Sequence, residues 1–192
     1  MNLRKKHIVI LGMTGVGKTT IGKILSKILK FDFIDIDHEI EKASKLKVHD
    51  FFEKYGEIEF RNLEKKIFFK SLQKKKNTVV STGAGILYDE KIILKIKEKS
   101  ISVFLDIKIS NLVNRLKHNI RNRPKLKKGN LKKNLENMYK NRINNYNHAD
   151  IKISVDELSA SDIISRIIKK LNLWENSVNL MLNLKIKAIQ FL

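Results

Sequence analysis

The chain has 192 residues, with 40 Lys+Arg against 20 Asp+Glu for a formal net charge of +20, no Cys, one Pro and eight Gly. That length suits one compact domain with a real core, and 42% hydrophobic with 31% charged residues is neither a disordered nor a membrane composition. The lack of Cys excludes disulfides, thiolate catalysis and Cys-based zinc or iron–sulfur sites together.

No apolar run approaches the ~20 residues of a membrane span. Met1 to Lys6 lead too quickly into an apolar strand to form a signal peptide. A cytoplasmic protein with no membrane partner is therefore expected. The positive charge would suit a phosphate-rich polymer, but it is spread along the chain, with no zinc-finger or aromatic ribonucleoprotein motif beside it. Lys, Asn and Ile are abundant throughout, as an AT-rich coding sequence would produce. No dedicated nucleic-acid partner is expected, whereas a basic surface would attract small anionic substrates.

Along the chain, short apolar runs alternate with amphipathic stretches. His7–Leu11, Phe33–Ile36, Thr78–Ser81, Ile101–Leu105 and Ile151–Ser154 read as buried strands. Helical spacing covers Lys18–Leu29, Val48–Tyr55, Glu59–Gln73, Asp89–Lys97, Ile109–Lys117, Leu131–Asn145 and Ser161–Leu171. The alternation predicts an α/β protein with a parallel sheet covered on both faces. Asn119–Asn130 holds the only Pro and reads as a basic, mobile loop. The single domain is expected over 1–171. In the extension 172–192 the alternation of Leu180, Leu182, Leu184, Ile186 and Ala188 suits a strand, a docking arm or an appended segment.

Gly12-Met13-Thr14-Gly15-Val16-Gly17-Lys18-Thr19 fits G-x-x-x-x-G-K-[ST], after a strand and before a helix. Glycines let backbone N–H groups close around phosphate, and the helix adds the positive end of its dipole. Lys18 would reach the β and γ phosphates and the Thr19 hydroxyl would ligate Mg²⁺. ATP or GTP binding follows.

The next strand ends Phe33-Ile34-Asp35-Ile36-Asp37. Strand alternation would put Asp35 and Asp37 on one side at its carboxyl end, where ligands bind in open α/β sheets. Asp35 then suits the Mg²⁺ shell, and Asp37 suits an acceptor hydroxyl as hydrogen-bond acceptor and candidate base; a pair of solvated acids would look the same. Glu57, Arg61 and Glu64 fall on one helical face, which spacing alone reads as an ordinary salt-bridge ladder. Thr82-Gly83-Ala84-Gly85 is an amide-rich turn after the third strand, Arg123-Pro124 sits in the basic loop, and Arg142 falls on a helix before the last strand.

Taken in order, these motifs resemble the shikimate kinases, within the P-loop group that also holds the nucleoside monophosphate kinases. The resemblance covers about residues 6–171 and rests on Gly12–Thr20, Phe33–Asp37, Gly56-Glu-x-x-Phe-Arg61 with Glu64, Thr82–Gly85, Arg123-Pro124, and Arg142 with Tyr146-x-x-Ala149-Asp150. It implies a P-loop kinase fold with a five-stranded sheet in the order 2-3-1-4-5, and a monomer that phosphorylates shikimate from ATP with Mg²⁺. ATP would be held by Gly15, Val16, Gly17, Lys18, Thr19, Thr20 and Arg123, with Mg²⁺ at Thr19 and Asp35. Shikimate would be held by Asp37, Arg61, Arg142 and the turn Gly83, Ala84 and Gly85, with Glu64 orienting Arg61 and with Phe52 and Phe60 walling the pocket. Lys18, Asp37 and Arg123 would be catalytic, and the loop 119–130 would close as a lid.

Three departures stand out. The family's three-glycine turn carries Ala84 in the middle, which would cost roughly 1 kcal/mol were that residue in the left-handed region. Arg-Pro-Leu-Leu becomes Arg123-Pro-Lys-Leu126, and Pro-Leu-Tyr becomes Asn144-Asn145-Tyr146. Other small-molecule kinases, such as gluconate kinases, share the loop and the size. A weakly active or non-catalytic ATP-binding homologue that binds nucleic acid through its basic surface is the reading from another class.

Overall fold

The computed structural model describes residues 7–117 and 130–172. Arg123, Pro124, most of the expected lid and the tail from 173 lie outside the described residues. Five strands, β1 (His7–Gly12), β2 (Asp32–Asp35), β3 (Thr78–Ser81), β4 (Ser100–Asp106) and β5 (Ile151–Ser154), form one sheet in the order β2-β3-β1-β4-β5. All neighbours are parallel, with His7 opposite both Thr78 and Ser100. Every residue of β1 and β3 is buried, because helices cover both faces of a parallel sheet.

The helices are α1 (Lys18–Leu29), α2 (Ile36–Ser44), α3 (Val48–Ser71), α4 (Glu90–Lys99), α5 (Ile109–Leu116), α6 (Leu131–Lys140), α7 (Ile143–Tyr146) and α8 over 160–172. On α8, Ile163, Ile164, Ile167 and Leu171 form the buried stripe, the spacing of a helix lying on the sheet. Among the described residues no helix is long and apolar enough to cross a membrane.

Several boundaries differ from the sequence reading, and four of the differences have a local reason. β2 stops at Asp35, whose carboxylate caps α2 by accepting from His38 N–H at 3.2 Å. Ile36 and Asp37 therefore belong to a helix that hydrophobic spacing did not reveal, and strand alternation is not what relates the two aspartates. Val48–Tyr55 and Glu59–Gln73 are joined into α3, but Gly56 (φ 78°, ψ 178°) breaks it near the expected joint. The expected helix Leu131–Asn145 divides into α6 and α7, leaving Arg142 (φ −120°, ψ −20°) at the hinge rather than within a helix. Asp89 lies outside α4 as its N-cap, accepting from Lys91 N–H at 2.7 Å.

β5 is fastened at its start by Asp150, which accepts from the backbone N–H and the hydroxyl of buried Ser102 at 2.8 and 2.7 Å. Asp150→Ala would leave that N–H and hydroxyl short of partners, at a cost of about 1–3 kcal/mol. Urea denaturation should show the loss as a lower midpoint with an unchanged slope.

Candidate active site

The site lies at the carboxyl ends of the strands. There β1 sends its chain toward β2 on one side while β4 lies on its other side, the crevice where open α/β sheets bind ligands. From β1 the chain turns through Met13–Gly17 into α1. Gly17 sits at the helix N-cap with φ 108°, and a Cβ there would meet nothing within 4 Å, so the backbone conformation alone calls for glycine. The α1 N-terminus has no side-chain cap and no acid in its first turn, which leaves its N–H groups to face an anion. Val16 is buried, while Thr19 and Thr20 are exposed. Lys18 Nζ donates to Gly12 O and Met13 O, both at 3.0 Å. Arg115 of α5 donates to Val16 O at 3.2 Å, a contact with the loop that no pattern in the sequence announced.

Thr19 and Asp35 are brought together as expected. The Thr19 hydroxyl donates to Asp35 Oδ2 at 2.6 Å, so two hard oxygen donors share one spot beside the phosphate loop, a set that suits Mg²⁺. Asp37 follows in the first turn of α2. Its residue surface is exposed, yet protein atoms crowd its carboxyl. That crowding raises its pKa, Asp35 raises it further, and Lys18 and Arg61 pull it back.

Across the cleft, Arg61 is gripped by two carboxylates of its own helix. It pairs closely with Glu64, whose side chain has no exposed surface, and with Glu57 at 3.3 Å. The ladder expected from spacing is thus buried at one end. The Tyr88 hydroxyl donates to Arg61 O at 2.8 Å, and the guanidinium lies 5.2 Å from the Tyr88 ring and 5.3 Å from the Phe60 ring. Phe60 stacks on Phe52 at 4.2 Å. Neither phenylalanine lines the cavity described next; Phe60 instead backs Arg61.

Burial pushes Glu64 up to about 7, against the pull of the Arg61 charge. For Arg61, burial opposes the charged form, but Glu64 and Glu57 outweigh it and the guanidinium stays ionised. Glu64 Oε1 and Arg142 Nη1 are both buried with no hydrogen-bond partner. Arg61 and Arg142 line one cavity of about 220 Å³ together with Glu57, Ala84, Gly85, Leu87, Tyr88, Asn141, Asn145 and Tyr146. A buried guanidinium nitrogen left over in such a place is a site for an oxygen anion.

The turn 82–85 explains its own composition. A Cβ on Gly83 would collide with Glu64 Oε1 and lie 3.3 Å from Asp37 Oδ1, and one on Gly85 would lie 2.5 Å from Arg61 Nη2. A side chain at either position would push the Glu64–Arg61 pair out of its present place. Ala84 is not among the non-glycine residues at positive φ, which are Lys30, Lys45 and Glu157 among those described. Its methyl carries no backbone strain. The Ala84 carbonyl instead accepts from the hydroxyl of buried Tyr146, whose pKa burial pushes up to about 12, so the phenol keeps its proton.

The family profile of shikimate kinase matches residues 14–172. The chain belongs to the shikimate kinase family. A relative named shikimate kinase from Bacillus licheniformis is 36% identical over 174 residues, covering 91% of this chain and 98% of that one. The solved structure of shikimate kinase from Acinetobacter baumannii in complex with shikimate superposes with a TM-score of 0.83 at 29% identity, covering 88% of this chain and 93% of that chain. A gluconokinase from Sinorhizobium meliloti superposes at TM-score 0.59 with 18% identity, covering 92% and 98%. That likeness is one of fold alone.

Two outcomes follow from the geometry. Gly83→Ala should destabilise the protein by about 1–3 kcal/mol through overpacking against Glu64, whereas Ala84→Gly should change stability by less than about 1 kcal/mol; thermal melts of the two variants compare them directly. Folded Glu64 holds its proton to about pH 7 against an ordinary value of 4.5. This group's contribution is therefore complete below pH 4.5 and is lost as pH rises toward 7, with a slope approaching roughly 1.4 kcal/mol per pH unit. Glu64→Gln should flatten that part of the stability–pH curve, as urea midpoints between pH 4.5 and 8 would record.

Proposed function

We propose that this chain transfers the terminal phosphoryl group of ATP to the 3-hydroxyl of shikimate, a step toward chorismate and the aromatic amino acids. The observation that carries the reading is the pair Arg61 and Arg142 on one cavity, with Arg142 Nη1 buried and unpartnered and Asp37 Oδ1 close to Gly83 of the adjoining turn. Two fixed guanidinium forks suit a small carboxylate. Asp37 and the amides of Gly83, Ala84 and Gly85 suit the hydroxyls of the same ring, while Glu64 orients Arg61.

ATP would lie on Gly15, Val16, Gly17, Lys18, Thr19 and Thr20. Lys18 would exchange the carbonyls of Gly12 and Met13 for phosphate oxygens, a charge-assisted pairing. Thr19 and Asp35 would hold Mg²⁺, which in such sites neutralises phosphate charge. Asp37, its pKa raised by the cleft, would orient the acceptor hydroxyl and accept its proton. Arg123 and the lid around it enter from the resemblance alone, as the group that would close on the transferring phosphate and exclude water. Positioning and electrostatics then carry the transfer. We assign the domain to 1–171, with 172–192 as an extension, and propose a cytoplasmic monomer without a dedicated nucleic-acid partner.

The test is ADP release with Mg-ATP in the presence of shikimate, gluconate or no acceptor. Shikimate alone should stimulate turnover; stimulation by gluconate only, or by neither, overturns the assignment. Arg61→Ala and Arg142→Ala should each lower kcat/KM for shikimate about a hundredfold, the ~3 kcal/mol scale of a lost charge-assisted contact. KM for ATP should stay close to that of the parent enzyme.

A further inference from the structure

One buried hydroxyl touches both halves of the site. Tyr146 closes the four-residue helix α7 and is 1% exposed. Its hydroxyl donates to Ala84 O in the acceptor turn and lies 3.2 Å from Gly12 O, the carbonyl that opens the phosphate loop. The ring is held in place by stacking on buried Phe104 of β4, with centroids 4.8 Å apart and planes 21° apart. The preceding residue adds a second tether, since Asn145 Nδ2 donates to Leu87 O at 2.9 Å just beyond the same turn. Arg142, one residue before α7, carries the guanidinium that opens onto the cavity. Five consecutive residues thus hold the acceptor grip, the acceptor turn and a reference point on the phosphate loop.

We propose that the Tyr146 hydroxyl is a positioning group that sets the separation between the phosphate loop and the acceptor turn, and so the approach of the acceptor oxygen to the transferring phosphorus. The loop and the turn leave β1 and β3, neighbouring strands whose mutual contacts run as far as Ile10, Ser81 and Thr82, and Tyr146 spans the two segments just beyond that pairing. A phenol has one proton and a rigid ring, so a contact with carbonyls on both segments defines a span, as a long flexible side chain would not. Lys18 Nζ shares Gly12 O with this hydroxyl at 3.0 Å. When Lys18 turns to a phosphate, the Tyr146 hydroxyl remains 3.2 Å from that carbonyl, its one proton shared between Gly12 O and Ala84 O. The loop then keeps its place relative to the turn while nucleotide is bound. Phosphoryl transfer depends on in-line placement, and small misplacements there are costly in rate.

This inference rests on the proposed function, and one set of experiments separates the two. Steady-state kinetics of the full-length wild type and Tyr146→Phe, with shikimate phosphate and ADP quantified independently, should show kcat lowered roughly tenfold or more. KM for ATP and for shikimate should stay within about twofold, and more ADP should form without matching phosphorylated product. A folded Tyr146→Phe with wild-type kcat overturns the proposal, as does one that loses rate through KM alone. Should that variant not fold, Phe104→Leu retains the hydroxyl but loosens the ring, and must show the same split of kcat from KM; wild-type kcat there overturns the proposal equally. A wild type with no shikimate-dependent turnover would instead overturn the functional reading, and this inference with it.

Discussion

The site is organised around a carboxylate that has no contact with solvent. Glu64, on the inner face of α3, takes one side of the Arg61 guanidinium and leaves its second oxygen against Gly83. Burying that carboxylate is costly unless its partner stays in place, so the packing that hides Glu64 also fixes Arg61. The glycines at 83 and 85 are the spatial complement of this pair. Tyr88 and Phe60 then bear on Arg61 from the elements on which they sit. A cation held this firmly gives up little freedom when an anion arrives, which is how a preorganised site gains affinity.

Much of this was legible in the sequence, and the reasons differ by element. The phosphate loop was plain because its chemistry demands glycines and a Lys-Thr pair at fixed spacing between a strand and a helix. The sheet was plain because strands buried on both faces are short unbroken apolar runs. The pairing of Thr19 with Asp35 was anticipated, but the geometry behind Asp37 was not. A carboxylate that ends a strand by capping the next helix looks, in sequence, like one more strand residue. The joint at Arg142 was hidden for a similar reason, since helical spacing continues through Asn141 while the backbone does not.

Other features needed coordinates. Nothing in the spacing of Glu57, Arg61 and Glu64 says that one end of the ladder is buried, because that depends on β3 and its turn arriving from elsewhere in the chain. Ala84 shows the reverse. It reads as damage to a glycine turn, yet none of the three positions has a positive φ, and what the chain uses at Ala84 is a carbonyl. Tyr146 counts in the sequence only as part of a motif, until its hydroxyl is seen between two carbonyls contributed by distant segments.

The pairing of β1 sets the order in which such a chain can become competent. His7 lies opposite Thr78 on one side and Ser100 on the other, so the strand that leads into the phosphate loop has no local partner. A hairpin protein can complete its first strand within a few residues of making it. Here the first strand must wait, unpaired on both edges and wholly apolar in its centre, until β3 and β4 have left the ribosome. Closing loops of that size before any pairing rewards them is slow, and an apolar strand with two free edges is open to association with other chains meanwhile. That exposure falls on the segment that later leads into the phosphate loop.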